Sequence, residues 1–202
     1  AFFCLKGPNF DGHRFAIDAR ARGASVIVVQ RASIETLGPL EELGTVVAVD
    51  DTERALGELA SAWRDLHDVT IIGLTGSSGK TTTKELIASV LSSAGATLAT
   101  HGNLNNHLGV PLTLLRLTEE HRYAVIEMGM NALGEIAHLA SLAKPSIGVI
   151  TTVGRAHTEG VGSLDGDDGR RVTELGHFYC LHCHLAEEIA HGELDRNRRT
   201  RR

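Results

Sequence analysis

The stretch Gly73-Leu-Thr-Gly-Ser-Ser-Gly-Lys-Thr-Thr-Thr83 decides how the chain is read. An apolar, β-branched run with Val69, Ile71 and Ile72 precedes it, and a helical pattern from Glu85 to Leu91 follows. Strand, glycine-rich turn and helix, in that order, turn backbone N–H groups into a cradle for phosphate at a helix N-terminus. Gly76 and Gly79 let the backbone curl close to an anion with no Cβ in the way. Lys80 supplies a point charge for the outer phosphates, and the Thr81 hydroxyl suits a magnesium ion. Ser77, Ser78 and Thr82 complete the expected nucleotide contacts. The strict Walker A spacing wants glycine where Leu74 stands, so the match is to a shorter variant, Gly-x-x-Gly-Lys-Thr-Thr. An ordinary Gly/Ser turn is the bland alternative.

Around this loop the pattern is α/β. After it come Leu98-Ala-Thr100, the polar loop His101 to His107, and an apolar helix pattern from Leu108 to Leu117 with Pro111 near its first turn. Tyr123-Ala-Val-Ile-Glu-Met128 reads as a buried strand, Glu135 to Leu142 as a helix and Ile147-Gly-Val-Ile-Thr-Thr152 as the next strand. Repeated strand–helix–strand units predict a mostly parallel sheet whose ligands gather at the C-terminal strand ends, where Lys80, Glu127 and His157 fall. Before the loop, a strand-like opening (Ala1 to Leu5) leads into a turn-rich segment. A helix with Phe15, Ile17, Ala19 and Ala21, runs at Ser25–Val29 and Thr45–Val49, and a helix capped near Asp50-Asp51-Thr52 follow. The expected organisation is a small, incomplete α/β domain over residues 1–66, a phosphate-loop parallel-sheet domain, also partial, over 67–166, and a tail of different character over 167–202.

Composition narrows the function classes. The net charge of −5 and an aromatic content of 4% disfavour a nucleic-acid surface. No apolar run reaches the roughly 18–20 residues of a membrane helix, and no basic, then apolar, leader opens the chain. Three cysteines make no disulfide framework, so a cytoplasmic protein is expected. Glu127, ending an apolar strand, suits a magnesium ion; a glutamate paired with a nearby lysine is the alternative. His157 is either a second metal ligand or a solvated loop histidine. Asn103, Asn105 and Asn106 form a dense amide cluster apt for a polar substrate, or simply a turn.

Gly73 to Glu85 together with Gly102-Asn-Leu-Asn-Asn-His-Leu-Gly-Val-Pro-Leu-Thr-Leu-Leu115 resembles the Mur ligases of peptidoglycan synthesis. Phe3 to Phe15, Ile126-Glu-Met-Gly129 and Ile150 to Gly162 fit in the family's order, so the resemblance spans about residues 2–166. It is narrowest to the branch adding D-alanyl-D-alanine to UDP-N-acetylmuramoyl-tripeptide. The resemblance implies ATP and Mg2+, an acyl phosphate on the tripeptide's terminal carboxylate, and attack on it by the dipeptide's amine. It implies that Lys80 holds the outer phosphates, that Thr81 and Glu127 hold one magnesium and that His157 serves a second. It further implies substrate contacts from Asn103, Asn105 and Asn106, with Asp11 and His13 near the UDP end, in a monomer that binds neither nucleic acid nor membrane.

The chain departs from that family in places. It opens at Ala1 inside the first domain, and after Gly166 it reads Asp167-Asp-Gly-Arg-Arg171 where the family has an Ala-x-Ala-Lys-Gly-Glu helix. The isolated chain is therefore expected to bind ATP without ligation; another phosphate-loop enzyme, such as a folylpolyglutamate synthetase relative, is the competing class. In the tail, Cys180-Leu-His-Cys-His184 matches a haem-attachment pattern, and His177, Cys180, Cys183 and His184 have zinc-ligand chemistry. Export is not signalled, and the four residues lack a second, separated ligand pair, so no evolved site is expected there.

Overall fold

The computed structural model describes residues 1–132 and 134–152, which form two compact units divided within one helix, Ala1–Leu59 and Ala60 onward. The first unit begins with β1 (Phe2–Phe3), a small antiparallel hairpin of β2 (Lys6–Gly7) and β3 (Phe10–Asp11), and α1 (Ala16–Ala21). Strands β4 (Val26–Gln30) and β5 (Thr45–Val49) follow, and β1, β4 and β5 pair parallel in that order. Ile27 and Val29 project into a core shared with Cys4, Ala16, Leu37 and Leu43, as a strand's two-residue repeat requires. Helix α2 (Thr52–Asp65) starts where expected, because Asp51 Oδ1 accepts from the N–H groups of Glu53 and Arg54 at 2.8 and 2.9 Å. The Leu/Glu-rich stretch between β4 and β5 folds as two short 3-10 turns, Arg31–Thr36 and Leu40–Leu43.

The second unit alternates β6 (Thr70–Thr75), α3 (Lys80–Ser92), β7 (Thr97–Ala99), α4 (Gly109–Leu114), β8 (Tyr123–Glu127), α5 (Glu135–Ala143) and β9 (Ile147–Ile150). Its four strands are all parallel, ordered β7-β8-β6-β9, as the strand–helix alternation predicts. Register pairs Leu74 with Glu127 and Thr75 with Ile150, so the loops leaving β6, β8 and β9 emerge together. On one sheet face Val69, Ile71, Ala124, Ile126 and Met128 pack with Val110 and Leu114 of α4 and Ile136 and Leu139 of α5. Alternation sends Val125 and Glu127 to the other face, which α3 covers.

Helix α4 is shorter than its apolar pattern. From Arg116 the chain tightens to i→i+3 hydrogen bonds (Arg116 N–H to Thr113 O, Leu117 N–H to Leu114 O), which bring Leu117 into the core at 1% exposure. The helix start is tied to the loop before it at Gly109. A Cβ there would lie 2.4 Å from the carbonyl carbon of Leu104, a backbone atom that cannot step aside. Gly109→Ala is expected to cost about 1–3 kcal/mol through this overpacking, read as a lowered urea midpoint. An unchanged midpoint would contradict the close approach.

Candidate functional site

Four segments meet at the C-terminal end of the four-stranded sheet. The first is the loop from β6 to α3. At Gly76 the backbone has φ +141°, and a Cβ would stand 2.1 Å from Thr151 Oγ1, so this position admits no side chain. The loop is fastened to the end of β9. Ser77 N–H donates to Thr152 O at 2.8 Å, Ser78 N–H to Thr152 Oγ1 at 3.1 Å, and Thr151 Oγ1 donates to Ser78 O at 2.5 Å. Gly79, left-handed, is the N-cap of α3 and makes no side-chain cap hydrogen bond. The first-turn N–H groups of the thirteen-residue helix thus face the loop with the positive end of the helix dipole behind them. Lys80, in that first turn, donates from Nζ to Gly76 O at 2.7 Å. Thr82 is exposed on the same turn.

The second segment is the end of β9, to which that loop is fastened, and the third, the end of β8, brings a carboxylate. Glu127, 2% exposed at the end of β8, accepts from Thr81 Oγ1 on Oε2 at 3.2 Å and from Asn105 Nδ2 on Oε1 at 2.9 Å. Its own N–H donates to Thr100 Oγ1 at 2.9 Å. Thr81 Oγ1 and Glu127 Oε2 are both hard oxygen donors. Neighbouring ligands of an octahedral magnesium at 2.0–2.1 Å lie about 2.9 Å apart, so this pair fits one such ion. The anion-directed helix start and curled glycine loop fit a nucleotide phosphate in the same way.

The fourth segment is the asparagine-rich loop, where the three expected residues have different surroundings. Asn105 is held on Glu127, and its backbone carbonyl accepts from Gly129 N–H at 2.8 Å. Asn106 Oδ1 accepts from the N–H groups of Leu108 and Gly109 at 3.2 and 2.8 Å and so holds the turn that leads into α4. Asn103 is exposed.

One residue sequence reasoning passed over sits beside this group. Lys84 is 0% exposed, with Nζ 4.0 Å from Glu127 Oε2. In a helical pattern a lysine reads as surface, and the only pointer in the sequence was the alternative reading of Glu127 as paired with a nearby lysine, which did not say which lysine.

In the first unit, His13 Nε2 accepts from Gln30 N–H at 3.0 Å, so Nδ1 carries the proton and donates to Asp11 Oδ1 at 2.6 Å. The ring is thus committed at both nitrogens, bracing the segment after β3 against the end of β4. The His13 hydrogen bonds, side chain first and then backbone, hold the Asp11 carboxyl below its ordinary value of 3.8. Burial, and secondarily the charge of Asp11, pushes the Cys4 thiol up to about 11, so it stays neutral in the core. His157, the part of the Ile150–Gly162 motif from Val153 onward, and the tail with His177, Cys180, Cys183 and His184 lie outside the described residues. Among the described residues no group of three or more His, Cys, Asp or Glu is placed to hold a metal, and no helix is long and apolar enough to cross a membrane.

Strand, glycine loop and helix at the switch between β6's two neighbours define a phosphate-loop α/β protein. Comparison with known proteins carries this further. Residues 1–64 match the Mur ligase family, catalytic domain, and residues 74–166 match the Mur ligase middle domain. Over 165 residues the chain is 48% identical to the UDP-N-acetylmuramoyl-tripeptide–D-alanyl-D-alanine ligase of Escherichia coli, covering 82% of this chain and 35% of that protein. The Bacillus subtilis protein of the same name is 44% identical with the same coverage. A crystal structure of MurF from Acinetobacter baumannii superposes with a TM-score of 0.75 at 40% identity, covering 86% of this chain and 37% of that one. The MurF ligase of Thermotoga maritima, solved in complex with ADP, gives 0.74 at 32% identity, covering 86% and 39%. The chain belongs to the Mur ligase family, and spans about a third of the length of the curated relatives it matches.

The Asp11–His13 contact has a pH consequence. Because the folded carboxyl is depressed, its stabilisation is present above about pH 4 and is lost as pH falls through the folded value. Wild type is therefore expected to lose more stability on acidification than Asp11→Asn does, in urea melts run across that range. Parallel acid profiles for the two would contradict the contact.

Proposed function

We propose that this chain is the nucleotide-binding part of an ATP-dependent ligase that joins D-alanyl-D-alanine to UDP-N-acetylmuramoyl-tripeptide. The observation that carries the reading is the Thr81–Glu127 oxygen pair beside a helix-capping glycine loop, in a chain 48% identical to a ligase of that name. Lys80 would hold the outer phosphates, and Gly76, Ser77, Ser78, Gly79 and Thr82 would line their cradle. Thr81 and Glu127 would hold a magnesium ion, with His157 serving a second. The ion supplies charge neutralisation for phosphoryl transfer to the tripeptide's terminal carboxylate. The dipeptide's amine then attacks the resulting acyl phosphate, forming the amide and releasing phosphate.

For the side chains of this site, the work is positioning and charge balance rather than covalent chemistry. Asn103, Asn105 and Asn106 would shape the substrate side. The Asp11–His13 brace would order the segment near the UDP end. The same reading makes the protein cytoplasmic and monomeric. A second reading is an ATP-binding module without ligation.

Titration with ADP and ATP in the presence of magnesium tests the first step. Lys80→Ala is expected to weaken nucleotide binding by about 10- to 100-fold, the worth of a charge-assisted hydrogen bond. Unchanged affinity would rule out the phosphate-loop assignment. Phosphate release on adding UDP-muramoyl-tripeptide and D-alanyl-D-alanine separates the two readings: turnover supports the ligase, and binding without turnover the module.

A further inference from the structure

Among the described residues of α3, the one buried side chain is a lysine. Leu86 and Val90 of the same helix are 64% and 70% exposed, so α3 does not sit on the sheet through an apolar stripe at these positions. A buried ammonium is costly unless it is paired and hydrogen-bonded, and Lys84 is both. Its Nζ donates to Thr100 O at 2.7 Å and meets Glu85 Oε1 at 3.0 Å, with Gly102 O at 3.5 Å and Glu127 Oε2 at 4.0 Å. Thr100 and Gly102 are the start of the segment that ends in Asn105, and Thr100 Oγ1 takes the N–H of Glu127. The lysine thus touches the helix that follows the phosphate loop, the segment leaving β7 and the carboxylate ending β8.

We propose that Lys84 is a positioning residue. It fastens the asparagine-rich loop to the nucleotide helix and fixes the Glu127 carboxylate where Thr81 completes an oxygen pair. This rests on the phosphate-loop reading above and adds to it a side chain that touches neither phosphate nor substrate. A 2.7 Å hydrogen bond to Thr100 O and a longer one to Gly102 O tie the ammonium to one flank, and the 4.0 Å ion pair with Glu127 ties it to the other. Replacing Lys84 by methionine, similar in length and uncharged, frees both flanks at once. A lysine acting only as structural filler would lower stability and leave the metal step untouched.

The experiment measures ADP affinity of the full chain with EDTA and with magnesium, alongside hydrogen exchange. In Lys84→Met, checked for folding by circular dichroism and cooperative melting, ADP affinity in EDTA is expected to be unchanged. The gain in affinity on adding magnesium is expected to shrink by about 10-fold, the usual scale for residues that orient a metal ligand. Amides 101–107 are expected to exchange faster than in wild type. Glu85→Ala, which removes an exposed partner, should leave all three readings as in wild type. A folded Lys84→Met with the wild-type magnesium gain and wild-type exchange overturns the proposal.

If Lys84→Met does not fold, the wild-type chain decides. Magnesium and ADP together should protect amides 101–107 along with those of the phosphate loop, and protection of the phosphate loop alone overturns the inference. A wild-type chain that binds no ADP overturns the phosphate-loop reading itself, and this inference with it.

Discussion

A carboxylate that is 2% exposed at the end of a strand has to be satisfied by protein groups, because water does not reach it freely. Glu127 sets this requirement for the second unit. Its oxygens take a hydroxyl from α3 and an amide from the loop after β7, and a lysine from α3 balances its charge. Those partners come from parts of the chain more than twenty residues apart in sequence, except for the pairings within α3. They converge because β6 and β8 are neighbours in register, so the loop leaving one strand and the carboxylate ending the other stand side by side. Moving β8 by one residue would turn Glu127 into the face packed by α4 and α5 and remove every one of these contacts.

The phosphate loop is shaped by a second constraint on the opposite side of β6. Thr75 pairs with Ile150, so Thr151 and Thr152 leave β9 beneath the loop just as it begins to curl. Their side chains and carbonyl take the loop's hydrogen bonds, and the curl is so tight over Thr151 that position 76 has no room for a Cβ. The glycine that the sequence pattern needs for an anion is therefore also needed for the neighbouring strand. Loop shape and strand order are one piece of geometry.

How far this was legible depends on whether a residue's role is local. The β6–loop–α3 unit was readable because strand, glycine turn and helix are consecutive, and the parallel sheet followed from the alternation around it. Glu127 was readable as a strand-end carboxylate. Lys84 was not, since its burial follows from what α3 is laid against rather than from its neighbours in sequence. The β2–β3 hairpin was missed because two-residue strands leave no periodicity to detect; Lys6–Asp11 showed itself only as turn-rich. In the asparagine cluster, composition could not separate three identical residues with three different surroundings. The Asn106 turn follows from position relative to Gly109, and the Asn105 contact only from the tertiary fold.

That separation changes what the loop contributes in the proposed reaction. Asn105 is anchored at its amide by Glu127 and at its carbonyl by Gly129, where an added Cβ would meet the Asn105 side chain at 3.0 Å. Asn106 is committed to the start of α4. A loop with two of its three amides fixed has little conformational freedom left to lose on ordering a substrate, which is the entropic advantage of preorganisation. The side chain left facing solvent is Asn103. The cluster thus works as a stiff platform carried by the nucleotide side of the site, tied to Glu127 directly through Asn105 and indirectly through Lys84 and Thr100.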